Sequence, residues 1–427
     1  MYRKCLLALI CFISTLELSA QDTDTDKKEK WQAGLTPAQK MIANSGEDLL
    51  TGGNAEAHAT VISGYGEMSF RRDVAYKQSR ANLDRVVLFV GHQFSSRFSF
   101  FSELEVSDAR IEAGAARGEV GMEQAFLRYN INPRQYIIAG LITPRIGITN
   151  EAHLPVNFLS SERPMVEQLV IPTTWRELGV GYYGQLSRFP LAYSVALMTG
   201  LDAAQMQHGR GIGSGSTGGQ SINANSMAVT ASLRAYAGDF QFQISGYYGG
   251  ANGMSPYTSD SLGIEHGAFA LPVTMGEANV QYSNSGFSAK ALGIIINNSG
   301  AKQINTTFAN NSPEQIYGLY GELSYDVFYN RSQRLDKELS LLGFIRYERL
   351  NLNAGIPSNA ITDGTLDQHH AIAGLAFFPT PNVVIKGDVR YTSTGPFNKN
   401  LLINPPPVMR PYPEQNYTVS LSLGYAF

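Results

Sequence analysis

A chain of 427 residues with 33 basic and 36 acidic side chains, a formal net charge of −3 and a mean hydropathy of −0.14 excludes two classes. It carries no basic excess for nucleic acid, and it is too polar for a bundle of spanning helices. The 42 Gly, 22 Tyr and 21 Phe against two Trp suit many amphipathic strands joined by polar loops, in a secreted β-sandwich or in a barrel whose alternate residues face water.

The chain opens with Arg3 and Lys4, runs apolar over 5–16 and reaches Leu18-Ser19-Ala20 before turning charged. That order predicts a signal peptide over 1–20. The apolar run is too short to span, and no later stretch approaches the roughly 18 apolar residues a helix needs. Any membrane crossing therefore uses strands. Both cysteines, Cys5 and Cys11, fall in the leader. Ala8-Leu9-Ile10 lacks the small residue expected before a lipidated cysteine. Residues 21–58 read as a periplasmic tail, disordered over the charged stretch 22–30. Thr36-Pro37-Ala38-Gln39 predicts a short helix to about Asn44, in a loose tail in preference to a place at the barrel mouth. The tail is too short for the plug of an energised transporter.

Residues 59–427 read as one barrel. Segments with period-two patterning fall at 60–70, 82–94, 97–107, 120–131, 134–142, 176–186, 190–199, 226–237, 239–249, 272–283, 286–297, 315–328, 337–349, 368–378, 382–393 and 416–427. The last places Tyr417, Val419, Leu421, Leu423, Tyr425 and Phe427 on one face and small or polar residues on the other. It is as long as a tilted bilayer crossing of about 9–11 residues, and it ends on Phe as a terminal insertion signal for barrel assembly machinery would. Short and long connections are expected to alternate strictly along the chain. The expectation is a sixteen-stranded antiparallel transmembrane β-barrel in outer-membrane lipid, with long extracellular loops, short periplasmic turns and an inward-folded third long loop.

Parity then divides each strand. The interior is expected to receive Arg97, Arg128, Arg234, Lys290, Arg346, Lys386 and Arg390, against Glu103, Glu105, Glu177, Glu277, Glu322, Asp326, Glu348 and Asp388. The two signs nearly cancel. The third long loop, 143–175, is apolar enough to fold inward and carries Arg145, Glu151, His153, Glu162, Arg163 and Glu167, with Arg176 at its exit. A charge on such a loop is expected to have water in front of it, Arg145 and Arg163 above all.

Gly140, Pro144 to Gly147, Ser161-Glu162-Arg163 and Arg176 to Val180 resemble the phosphate-selective porin O and P family in its broad sense. The resemblance covers about 40 residues and implies a homotrimeric outer-membrane porin without cofactors, passing small polar or anionic solutes. That family's phosphate filter needs basic charge of one sign, which the balanced lining lacks, so a general diffusion channel is expected rather than a phosphate channel. Two rivals are a barrel serving as adhesin or assembly platform through its surface loops, and a barrel enzyme. An enzyme needs a Ser or Asp beside His92 or His153. His369 and His370 are adjacent on a strand, so they face opposite ways and cannot share an ion. The run Gly209 to Gly219 lacks the Gly-Lys-Ser/Thr ending of a phosphate loop and reads as flexible surface loop. Trp175 is expected to pin the base of the inward loop.

Overall fold

The structure is a computed structural model that describes residues 35–44, 59–108, 119–187, 189–219, 224–329, 338–398 and 413–427. The signal peptide expected over 1–20, with Cys5 and Cys11, and the disorder expected over 22–30 lie outside the described residues. Sixteen strands form a closed antiparallel barrel in which every strand pairs with its neighbours in sequence. They are β1 (Thr60–Asp73), β2 (Gln78–Gln93), β3 (Phe98–Ser107), β4 (Glu119–Asn132), β5 (Gln135–Ile142), β6 (Glu177–Gln185), β7 (Leu191–Thr199) and β8 (Met227–Ala237). There follow β9 (Phe240–Gly249), β10 (Val273–Asn284), β11 (Phe287–Asn298), β12 (Gln315–Asp326), β13 (Ser340–Gly355), β14 (Asp367–Thr380), β15 (Val383–Thr394) and β16 (Gln415–Ala426). β1 closes the ring on β16, with Gly64 and Phe427 exchanging backbone bonds of 2.9 Å at the seam. Closure leaves no open edge.

The outer face follows the alternation. Tyr417, Val419, Leu421 and Phe427 are exposed while Thr418, Ser420 and Ser422 on the opposite parity are buried. The same holds for Phe240, Phe242 and Ile244 on β9 and for Ile385 and Val389 on β15. Aromatic pairs cluster at both rims, Phe98 with Tyr129 and Phe240 with Tyr282 at the tight-turn end, Tyr391 with Tyr417 at the long-loop end. An apolar belt between aromatic girdles is the surface lipid requires. Among the described residues no helix is long and apolar enough to cross a membrane.

Three expectations need correction. The first connection is not long: β1 and β2 run on to Asp73 paired with Gln78, joined by the turn 74–77. Arg71-Arg72-Asp73 and Gln78-Ser79-Arg80 carry no apolar alternation, because a ribbon above the lipid keeps its backbone ladder without a greasy face. The periplasmic-side connection 327–339 is in turn longer than expected.

The N-terminal helix, α1 (Pro37–Asn44), does form behind a capping box in which the Thr36 amide donates to Gln39 Oε1 at 2.9 Å. It packs on the inner face of β1–β3, however, and does not hang loose. The Ala38 amide donates to Ser63 Oγ, and the Arg128 guanidinium donates to the Ile42 carbonyl at 2.7 Å. Gly91 makes room for it, since a Cβ there would meet Met41 at 2.9 Å. With Tyr65, Val87, Phe89, Phe101 and Leu154, α1 forms an apolar cluster inside the barrel.

The glycine run 209–219 is packed, not free. Ile212 is buried in the main core cluster and Ser216 Oγ donates to Glu177 at 2.9 Å. Gly211 has φ +58, and a Cβ there would sit 2.6 Å from the Leu169 carbonyl, so only glycine lets this loop lie on the inward one.

Candidate functional site: the loop across the barrel

The connection 143–176 crosses the interior and is held from within and from the wall. Its internal strut is Glu167. One carboxylate oxygen accepts from the Ile148 and Thr149 amides at 2.8 and 2.6 Å and from the Thr149 hydroxyl, and the other accepts from Tyr320 on β12. Gly147, at φ +82, makes the turn that brings those amides round, and a Cβ on it would meet Glu167 Oε2 at 2.7 Å. Trp175 closes the base as expected. It is buried, its amide donates to Asn150 Oδ1, its indole N–H donates to Glu177, and its ring packs on Tyr247.

One anchor is dry. His153 Nε2 lies 2.9 Å from Glu103 Oε1 on β3 and 3.4 Å from Glu123 Oε2 on β4, and all three side chains are buried. His153 Nδ1 is 3.1 Å from the Asn150 carbonyl, Gln124 donates to the second oxygen of Glu103 at 2.7 Å, and Thr174 donates to that of Glu123. Burial alone would lower the imidazole pKa, but the Glu103 and Glu123 carboxylates outweigh it and push it up to about 9. Glu105 and Arg85 stand beside this group, 3.6 Å apart.

Glu123 is the functional candidate that strand periodicity missed. β4 bulges there: Glu103 pairs with Gln124 and Leu104 with Met122, which leaves Glu123 as the extra residue. Strict alternation puts it with Ala125 and Leu127 on the lipid face; the bulge turns it inward. The available signal was energetic, since an unpaired carboxylate facing hydrocarbon is not tolerated.

A second anchor is wet. Glu162 takes a guanidinium from Arg71 on β1 and another from Arg390 on β15, and the Arg71 and Glu162 side chains are 46% and 24% exposed. Burial would raise the Glu162 carboxyl, but Arg390 and Arg71 hold it below the usual range. Behind it the wall is ordered. Arg346 is clamped between Glu322 and Glu348 at 3.0 and 2.9 Å, and the other Glu348 oxygen accepts from the Val166 amide. Asp388 accepts from the Ser161 amide at 2.6 Å, and Lys386 donates to the Ser160 carbonyl at 3.2 Å. On the opposite side Glu151 links Arg145 to Arg234 at 2.9 and 3.0 Å. Lys290 reaches the Asn157 carbonyl at 3.4 Å, and Arg176 lies 3.8 Å from Glu123.

Several expected positions differ. Arg163 has no water in front of it: it is 7% exposed and donates to the His153 carbonyl at 3.4 Å, because the loop folds over it. Glu167 is fully buried as a strut. Arg97 sits in the turn before β3, exposed at the rim, and donates to the Ile131 carbonyl at 3.2 Å. Asp388, Glu348, Lys290 and Lys386 point inward but touch loop backbone rather than open water. Of the histidines, His92 meets the Thr60 hydroxyl at 2.7 Å, His369 meets Tyr347 on the outside, and His370 is buried inside.

No family model matches the sequence. An uncharacterized protein of Aquifex aeolicus is 26% identical over 337 residues, covering 77% of this chain and 74% of its own. Among solved structures, Pseudomonas putida OprB in its high-pH form covers 91% of this chain and 97% of its own, with TM-score 0.52 and 10% identity. Salmonella typhi OmpF complexed with daunomycin covers 87% and 98%, with TM-score 0.52 and 13% identity. Vibrio cholerae OmpT, in vitro folded in a trimer form, covers 87% and 100%, with TM-score 0.50 and 11% identity. The fold is that of outer-membrane porins. A closed sixteen-strand barrel with an apolar belt belongs in the bacterial outer membrane.

Proposed function

We propose that this chain is a passive outer-membrane channel for small polar or charged solutes, with the 143–176 loop setting the size limit. The observation that carries the reading is the partly exposed charge group at Glu162, Arg71 and Arg390, where opposite charges from a loop and two wall strands meet inside the barrel. A partly exposed cluster of fixed charges orients the water beside it and favours polar solutes over greasy ones.

The same pairing argues against a dedicated phosphate filter, despite the local resemblance to the phosphate-selective porins. Arg346, Arg234 and Arg390 each have a carboxylate partner, so little basic charge is left for an anion. The trimer and the terminal strand Tyr417 to Phe427 as signal for assembly machinery belong to the same proposal.

Planar-bilayer conductance of the refolded protein, with reversal potential under a salt gradient and phosphate as competitor, tests it. Discrete steps that phosphate leaves unchanged are expected. Phosphate block would restore the selective role. A folded protein that gives no steps favours the second reading, an adhesin or assembly platform, which has support of its own in the burial of Arg346, Lys386 and Glu103 beneath the loop.

A further inference from the structure

We propose that Glu103, Glu123 and His153 form a binding site for a first-row divalent cation such as Zn2+, which staples the inward loop to β3 and β4. Three features of the group point to a ligand and not merely to a cluster of acids. The atoms His153 Nε2, Glu103 Oε1 and Glu123 Oε2 converge within 4.8 Å of one another. Each side chain has its remaining polar atom occupied from behind: His153 Nδ1 faces the Asn150 carbonyl, Glu103 Oε2 accepts from Gln124, and Glu123 Oε1 accepts from Thr174. A metal-bound imidazole characteristically donates its other N–H to such a carbonyl, which fixes the ring and turns the free lone pair toward the metal.

The converging Glu123 Oε2 is buried and has no hydrogen-bond partner, with the His153 nitrogen 3.4 Å away as its nearest opposite pole. A buried carboxylate oxygen left in that state calls for a cation, and a metal ion that binds there displaces the Nε2 proton of His153 to water. Donors bound at about 2.0–2.2 Å around a tetrahedral centre stand about 3.3–3.6 Å apart. The observed 2.9 and 3.4 Å from His153 Nε2 to the two carboxylates lie close to that range, and all three donor atoms fall within 4.8 Å of one another.

The chemistry selects the class of ion. One imidazole with two carboxylates suits Zn2+ and its first-row neighbours, whereas Ca2+ and Mg2+ prefer oxygen alone. Two carboxylates balance the doubly charged ion, so the pair can stay ionised in a dry setting. Three protein ligands leave a fourth position open, and the fully buried Tyr65, whose hydroxyl also lacks a partner, packs edge-on against His153. The β4 bulge aims Glu123 inward, where its other oxygen also takes Thr174 and faces Arg176 at 3.8 Å.

The site is independent of the channel reading. The full chain is refolded with Zn2+, Co2+, Ca2+ or Mg2+, freed of excess ion by gel filtration, and its bound metal measured. Zn2+ and Co2+ should stay in stoichiometric amount, and Ca2+ and Mg2+ should pass. His153→Gln and Glu123→Gln should lose retention, while His266→Gln, at an exposed loop histidine, should keep it. X-ray absorption of the Co2+ form should show one imidazole among oxygen ligands, and it decides the matter on the unaltered chain if a variant fails to assemble. Failure of the unaltered chain to retain Zn2+ or Co2+, equal retention by His153→Gln, or a spectrum without imidazole overturns the site.

Discussion

The inward loop is held by two charged anchors a few residues apart that differ chiefly in water. At His153 the partners Glu103 and Glu123 are sealed from solvent; at Glu162 the partner Arg71 is nearly half exposed. Charges inside protein are costly to strand, because removing one partner leaves the other desolvated, while charges in water re-solvate at little cost. The dry anchor should therefore govern whether the loop folds, and the wet one what passes it.

The largest expected effect comes from breaking the dry side. Glu103→Ala leaves His153 and Glu123 without their neighbour and should cost about 3–5 kcal/mol, read from urea unfolding of the barrel in lipid vesicles. A cost near that of a surface pair would mean that water reaches the anchor. Next comes the turn that feeds it: Gly147→Val forces a β-branched residue to φ +82 against Glu167, for about 1–3 kcal/mol in the same assay.

On the wet side, Arg71→Ala should cost no more than about 1 kcal/mol yet move the reversal potential toward cation preference. An unmoved potential would remove Glu162 and its partners from the conducting path. Acidification sharpens the contrast further. Arg390 and Arg71 hold the Glu162 carboxyl below the usual carboxylate range, so its pairing contributes fully above the unfolded-state value and is lost as pH falls through the lower, folded-state one. Open-channel noise should rise only in that acid window. High salt should mimic it at Glu162 and leave the His153 anchor intact.

Alternation and its exceptions divide what the chain reveals. The β16 face from Tyr417 to Phe427 was legible because lipid reads every second residue, and the inward loop was legible because its length and apolar content exceed those of its neighbours. Glu123 was not, since a bulge breaks the period it would be read by. Nor was the burial of Arg163, which depends on how a loop folds back on itself. The packed glycine run and the seating of α1 on Gly91 likewise rest on surfaces that come together only in the closed barrel.

The strands, their outer face and the signs of the inward charges are written in the residue pattern, because a strand's two-residue period and the intolerance of lipid for charge act locally. Which charges meet depends on the closed barrel. Ser161 and Asp388 lie 227 residues apart and bond at 2.6 Å. Whether a given carboxylate ends dry beside His153 or wet beside Arg71 is set by the path of one loop across a closed barrel, and water access, not residue type, then fixes what each pair does.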